Sequence, residues 1–276
     1  MLINEANVKH ILTRSKLPGL GYAVNPYIGC QHACVYCYAR FMKRFTNHEE
    51  PWGTFVDVKR NAADVLVQDL RKAKPGCGAF FGSATDAYQP CEQQYQITRS
   101  LLKIVADNQP LLGFPVSVLT KSALVLRDID LLKRIPNASV GFSLAMPDER
   151  ARALFEPETS SVHRRLEALK ILRDNGIRTY CFIGPLIPGI FHLPPLFAAL
   201  EGIVGHVHGE TLNTRCGNLS QIQKAVMQYS REARRKFNRS INDEKYWTAV
   251  ETEFEQLAAQ HGIPVAGFYN HSVAGC

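Results

Sequence analysis

No stretch of the chain approaches the roughly 18 consecutive apolar residues of a membrane span. The first twenty residues, with Glu5, Lys9, Arg14 and Lys16 interspersed, lack the apolar centre of a secretory signal. These absences point to the cytoplasm and to no membrane partner. Short repeats, low-complexity tracts and long Gly/Ser or Pro-rich linkers are missing too, which excludes a repeat array and leaves one domain with a C-terminal appendage. Charge is modest, at 21% charged against 46% hydrophobic residues, a balance too apolar for a disordered chain. At 276 residues the chain has ample length for a buried core.

What is present narrows the field. Lys and Arg number 32 against 25 Asp and Glu, a net charge of +7 that suits nucleic acid, an anionic cofactor or an acidic substrate. Eight cysteines would fit a disulfide scaffold, but such scaffolds are short and secreted. Here three cysteines crowd into eight positions of a chain without an export signal, which points to a metal.

Short apolar runs bounded by turn residues, at Tyr22–Val24, Ala79–Phe81, Val116–Leu119, Val140–Leu144 and Thr179–Ile183, read as buried strands. Weaker strands are expected around Gly205–His208 and Pro264–Phe268. Between them, apolar residues at helical spacing (Ala62, Val65, Leu66, Leu70; Ile97, Leu101, Ile104, Val105; Val162, Leu166, Leu169, Leu172) predict helices. The third is punctuated by Ser160 or Ser161 as N-cap and Gly176 just past its end. Alternating strand and helix predicts an α/β fold with a parallel sheet, and about six units favour a full or partial barrel. The expected division is an N-terminal lead-in over 1–22, the partial barrel over 23–210 and a C-terminal helical extension over 211–276 packed on the barrel.

The strongest chemical signal is Cys30-Gln-His-Ala-Cys34-Val-Tyr-Cys37, a C-x3-C-x2-C spacing in a loop that follows the strand Tyr22–Val24. A structural zinc and an ordinary [4Fe–4S] cluster both want four protein ligands, and here only three cysteines are close. An iron–sulfur cube held by three leaves one iron open to a small molecule. Arg40, Lys43 and Arg44 follow, and cationic neighbours are expected to lower the thiol pKa values. The competing reading is a non-catalytic iron–sulfur or zinc module, its ligand set completed by His32, Cys77 or Cys91.

The segment Asn25-Pro-Tyr-Ile-Gly-Cys30 through Cys37-Tyr-Ala-Arg40 resembles the cluster loop of radical S-adenosylmethionine (SAM) enzymes of the spore photoproduct lyase-like group. The resemblance continues through Thr85-Asp-Ala-Tyr-Gln-Pro90, Leu119–Ser122, Leu126–Asp130 and Phe155–Ser161, covering roughly residues 13 to 190. It implies a partial (β/α)6 barrel, a [4Fe–4S] cluster and S-adenosylmethionine, which is reductively cleaved to methionine and a 5′-deoxyadenosyl radical. It also implies a reductant such as flavodoxin or ferredoxin. Position by position, Cys30, Cys34 and Cys37 match the cluster ligands, and Tyr36 the aromatic near adenine. Lys121 resembles a contact to the SAM carboxylate, and Ser143 a usual polar contact. Ser83 and Thr85 fall where the amino group is bound, and Pro188 and Gly189 lie in the segment that receives adenine. Asp86 is a candidate for orienting substrate or pairing with a basic group, with helix capping as the alternative.

One departure matters. The hydrogen-donating cysteine of true spore photoproduct lyases falls at Ser83, and a serine O–H is a poor hydrogen-atom donor. Tyr38 matches a tyrosine of the hydrogen relay, although it could serve packing in the cluster loop. Cys91 and Cys181 are substitute donors or buried packing groups. Arg231, Arg234, Arg235, Lys236 and Arg239 form a basic run on an expected helix, a phosphate-binding face or a solvated one. Phe237, Tyr246 and Trp247 could stack on bases or fill core. His206 and His208 share a strand face and could bind a second metal, for which a third ligand is lacking. The expected substrate is a nucleic-acid lesion or modified base, with a small metabolite or peptide as the alternative.

Overall fold

A computed structural model describes residues 1–15, 21–74, 76–109 and 113–271. Every bounded apolar run became a strand. In chain order these are β1 Leu2–Ala6, β2 Leu12–Arg14, β3 Tyr22–Val24, β4 Tyr27–Gly29, β5 Phe55–Lys59 and β6 Ala79–Phe81. There follow β7 Val116–Thr120, β8 Ser139–Ser143, β9 Arg178–Leu186, β10 His206–Thr211 and β11 Val265–Tyr269. Eight of them form one sheet in the order β11-β10-β9-β8-β7-β6-β3-β2. From β3 to β11 every pairing is parallel, and β2 alone runs antiparallel, at one edge. The edges β2 and β11 do not pair with each other, so the barrel is partial.

Helices fill the crossovers, as parallel pairing requires. Ala62–Leu70 precedes β6, Ile97–Asp107 precedes β7, Val162–Asp174 precedes β9 and Leu193–Leu200 precedes β10. One main core lies between sheet and helices, with Val24, Phe81, Val118, Phe142, Cys181 and Val207 on the sheet side. Burial on that face stabilises the fold by about 1.5–3 kcal/mol per large apolar side chain. The third helix keeps its expected punctuation: the Ser161 hydroxyl accepts from the Arg164 N–H at 3.2 Å, and Gly176 adopts φ +76° just past the end.

Residues 211–271 supply three helices, Leu219–Tyr229, Arg231–Ser240 and Glu244–Gln260, and then β11, which extends the sheet beside β10. The last helix packs against Leu193–Leu200 through an edge-to-face Phe197–Phe254 contact at 5.1 Å. Phe237 and Trp247 are both buried at 1% exposure. Among the described residues no helix is long and apolar enough to cross a membrane.

The sequence pattern missed a second, three-stranded sheet of order β1-β5-β4. The cysteine loop therefore leaves from β4, not directly from β3. Because the barrel strands run parallel, the segments that follow β6, β7, β8 and β9 gather at one end of the sheet, where barrel enzymes place their sites.

Candidate functional site

The cysteine loop is entered through Gly29, whose φ of +85° and close approach to the Phe55 carbonyl leave no room for a Cβ. Cys30 and Cys34 are buried, Cys37 is partly buried, and all three thiols are free. The loop is tied down from distant parts of the chain. The Thr85 hydroxyl donates to the Gly29 carbonyl at 2.6 Å, and Gln89 Oε1 accepts from the Gln31 N–H at 2.8 Å. Asn218 Nδ2 donates to the Val35 carbonyl at 2.9 Å, and Arg40 bridges the Cys37 carbonyl and Gln221.

Burial dominates the thiols. It pushes Cys34 up to about 12 even though Lys121 pulls the other way, and it raises Cys30 and Cys37 as well. The expectation that neighbouring cations lower these pKa values is thus corrected, because desolvation of a buried thiolate outweighs their attraction. The cation acting most on Cys34 is Lys121, from the end of β7. Of the run after the loop, Lys43 donates to the Glu49 carbonyl and Arg44 lies over Phe41 and Phe45.

Lys121 Nζ sits 5.8 Å from the centroid of the Tyr36 ring. The Tyr36 hydroxyl donates to the fully buried Glu156, which also pairs with the fully buried Arg165 at 2.5 Å. Arg165 donates in turn to the carbonyls of Ser143 at 2.9 Å and Ser160 at 2.8 Å. Burial alone would depress the Lys121 ammonium, but Cys34, Glu156 and Asp86 hold it above its usual value. Burial opposes ionisation of Glu156, yet Arg165 and Lys121 keep its carboxylate below its ordinary range. A buried charge network therefore joins the cysteine loop, β7 and β8.

Asp86 is a brace at the same junction. One oxygen accepts from the Tyr88 N–H at 2.8 Å and the Thr120 hydroxyl at 2.7 Å. The other accepts from the Lys121 N–H at 2.8 Å and faces His32 Nδ1 at 3.2 Å. Burial works against its charge, but His32 and these donors hold it well below the carboxylate range. Of the two chemical roles expected for Asp86, the geometry displays pairing with a basic group.

Ser83 bonds Asn25 Nδ2 at 2.9 Å through its hydroxyl, and its carbonyl accepts from the exposed Tyr38 hydroxyl. Cys91 and Cys181 both lie in the apolar core, and burial raises each thiol. Pro188 and Gly189 follow β9, and Gly189, at φ +81°, packs on the backbone of Ala233 so closely that a Cβ would clash at 2.6 Å. His206 and His208 have adjacent rings, but among the described residues no third ligand joins them to hold an ion.

Two features escaped the sequence. Glu92 and Asp128, both fully buried, form a network with Arg127 and Arg99 that anchors Tyr27 of β4 and Tyr88. The Leu126–Asp130 motif and an acid at 92 were the available signals. Lys59, at the end of β5, points its Nζ at the Asn25 carbonyl at 2.6 Å beside Ser83, and burial alone drops its pKa to about 8. The folded state thus disfavours its proton while the unfolded chain keeps it to about 10.4, so stability should rise between pH 8 and 10.4. Lys59→Met is expected to flatten that rise. Urea melts of both proteins across this range measure it, and equal slopes would refute it.

The donor set fits an iron–sulfur cluster: three free thiols share one braced loop, and the partly buried Lys121 ammonium acts on Cys34. A zinc tetrahedron asks for four ligands around one ion, one more than the three thiols the loop supplies.

Comparison with known proteins agrees. Residues 24–192 match the model of the Radical SAM superfamily. An uncharacterized protein of Methanocaldococcus jannaschii is 36% identical over 213 residues, 77% of this chain and 78% of its own. One of Mycobacterium tuberculosis is 33% identical over 209 residues, 69% of this chain, and this chain spans 60% of its length. Spore photoproduct lyase complexed with dinucleoside spore photoproduct superposes with a TM-score of 0.69 at 17% identity, over 96% of this chain and 82% of that one. The matched family model spans more than half of the chain and covers the cysteine loop, β6 to β9 and the Gly189 turn, and on that basis the protein belongs to the radical SAM superfamily.

Proposed function

We propose that this radical SAM enzyme acts on a nucleic-acid lesion or modified base. When bound, a [4Fe–4S] cluster and a reductant would supply the electron for reductive cleavage of S-adenosylmethionine to a hydrogen-abstracting 5′-deoxyadenosyl radical, with methionine released. The chain's own part is to bind, orient and exclude water. Cys30, Cys34 and Cys37 would hold the cluster. Lys121 would offer a partly buried ammonium to the SAM carboxylate, Ser83 and Thr85 would border the amino group, and Tyr36 with Pro188 and Gly189 would flank adenine. Tyr38, anchored on the Ser83 carbonyl, stands where a hydrogen relay would start. A flavodoxin or ferredoxin as electron donor and a cytoplasmic setting complete the proposal.

The observation that carries the substrate class is the helix Arg231–Ser240. Arg231, Arg234, Arg235, Lys236 and Arg239 are all exposed, and among the described residues none has a carboxylate partner. Lys236 does reach the Tyr246 ring at 6.0 Å. Its buried residues Ala233 and Phe237 seat the helix on the barrel, so the cations are left facing outward. The Gly189–Ala233 contact sets it against the segment proposed for adenine, beside a groove of about 260 Å³ lined by Gly189, Phe191, Tyr229, Glu232 and Lys236. A polyanion lying on this helix reaches the mouth of the barrel. The dinucleoside held by spore photoproduct lyase supports the same class of substrate.

The test is 5′-deoxyadenosine formation by anaerobically reconstituted, reduced protein with and without photoproduct-containing DNA. Stimulation by the DNA is the expected result. DNA affinity should fall steeply with salt, and Arg235→Ala should lower the logarithmic salt slope by about 1. Cleavage indifferent to DNA, with affinity independent of salt, would leave the radical chemistry and move the substrate to metabolites or peptides.

A further inference from the structure

The sheet face turned away from the helices carries a group of rings that the cluster and SAM contacts do not use. On β9 and β10 the side chains alternate: Cys181, Ile183 and Val207 enter the core, whereas Tyr180, Phe182, His206 and His208 point the other way. Tyr180 and His206 stack at 5.2 Å between centroids with planes 4° apart. Phe182, His208 and Tyr269 stack mutually at 5.9, 6.1 and 6.2 Å, with planes 15–29° apart.

The ladder is rigid at its base. Gly141 leaves space for the Tyr180 ring, which would meet a Cβ there at 2.2 Å, and the Tyr180 hydroxyl bonds the Val118 carbonyl at 3.0 Å. It is open towards its upper end. Phe182, His206 and His208 are only partly buried, and Tyr269 is 43% exposed. A packed core would have closed over such rings.

The imidazoles are also unspent. Among the described residues neither the His206 nor the His208 imidazole makes a hydrogen bond or ion pair, and His208 Nδ1 is buried without a partner. Burial lowers both pKa values, that of His208 to about 4, so both rings are neutral at pH 7 and each carries one donor and one acceptor nitrogen. One pleat further along β10, Glu210 pairs with His271 at 3.0 Å on the same face. Half-buried polar groups without partners inside a protein call for an explanation.

We propose that this ladder is the surface on which the substrate's planar heteroaromatic group, a nucleobase, lies, with Phe182, His208 and Tyr269 stacking on it and the Glu210–His271 pair facing its polar edge. The proposal rests on the nucleic-acid reading and assigns the base to β9–β11 and the phosphates to the Arg231–Ser240 helix. Stacking on aromatic faces tolerates many bases, whereas edge contacts choose among them.

The experiment compares two single-stranded probes of equal phosphate number, one carrying bases and one fully abasic, bound to cluster-loaded protein and followed by fluorescence anisotropy. The wild type is expected to prefer the base-bearing strand. Phe182→Leu, which keeps apolar volume, and Tyr269→Leu, at an exposed position, should each cut that preference roughly tenfold and leave the abasic strand's affinity unchanged. Arg235→Ala should weaken both strands alike. Equal wild-type affinity for the two strands, or ring variants that weaken both equally, would overturn the ladder while the nucleic-acid reading stands. Failure of the wild type to bind either strand would remove that reading and the ladder with it.

Discussion

Cys34→Ala is expected to abolish cluster binding and 5′-deoxyadenosine formation together while the barrel stays folded. The thiol is buried in a loop whose backbone is held by Thr85, Gln89 and Asn218 rather than by the sulfur. Its removal deletes a ligand without deleting the frame. Cys91 and Cys181 lie outside this loop, in the main apolar core. Iron and sulfide analysis with the visible spectrum, before and after anaerobic reconstitution, measures the first effect, and nucleoside quantitation the second. A variant at Cys34 that retained iron and full cleavage would refute the ligand assignment. One zinc with no iron in the wild type, resistant to reconstitution, would sink the enzyme.

Arg165→Met should cost about 3–5 kcal/mol of stability, the usual range for leaving one member of a buried ion pair uncompensated. Glu156 and Arg165 are both fully buried, so water cannot replace the lost charge. Loss of the guanidinium would also take the donor from the Ser143 and Ser160 carbonyls and leave the carboxylate resting on the Tyr36 hydroxyl. A weaker affinity for S-adenosylmethionine is therefore expected alongside the fall in the urea midpoint. The double variant Glu156→Gln, Arg165→Met should recover much of the stability, since it removes both charges. Should the single variant be as stable as the wild type, the network would not be what positions the loop.

The barrel was legible because its strands are short apolar runs cut by turn residues. The small sheet was hidden for the opposite reason. Leu2–Ala6 is largely exposed and Tyr27–Gly29 is three residues long, so neither carries a pattern that a window can detect. Phe55–Lys59 did carry one, in Phe, two Val and alternating polar residues. The three cysteines were visible because their ligand spacing is local. The partnership of Glu156 with Tyr36, 120 positions away, exists only once the sheet brings them together. Lys59 was invisible because nothing in its neighbours announces that the fold will bury it.

The bonds that shape the cysteine loop run to Thr85, Gln89, Asn218 and Gln221. A chain emerging from the ribosome N-terminus first therefore shows its three thiols long before it can enclose them. At an elongation rate of roughly 5–20 residues per second, the stretch from Cys37 to Gln221 takes about ten seconds or more to appear. Through that interval the thiols are solvent-accessible and closer to an ordinary cysteine in acidity, which makes them open to oxidation and to stray metal. Loading the cluster is on this view one of the last events of the protein's maturation, and the folded loop, once closed, protects what the nascent chain could not.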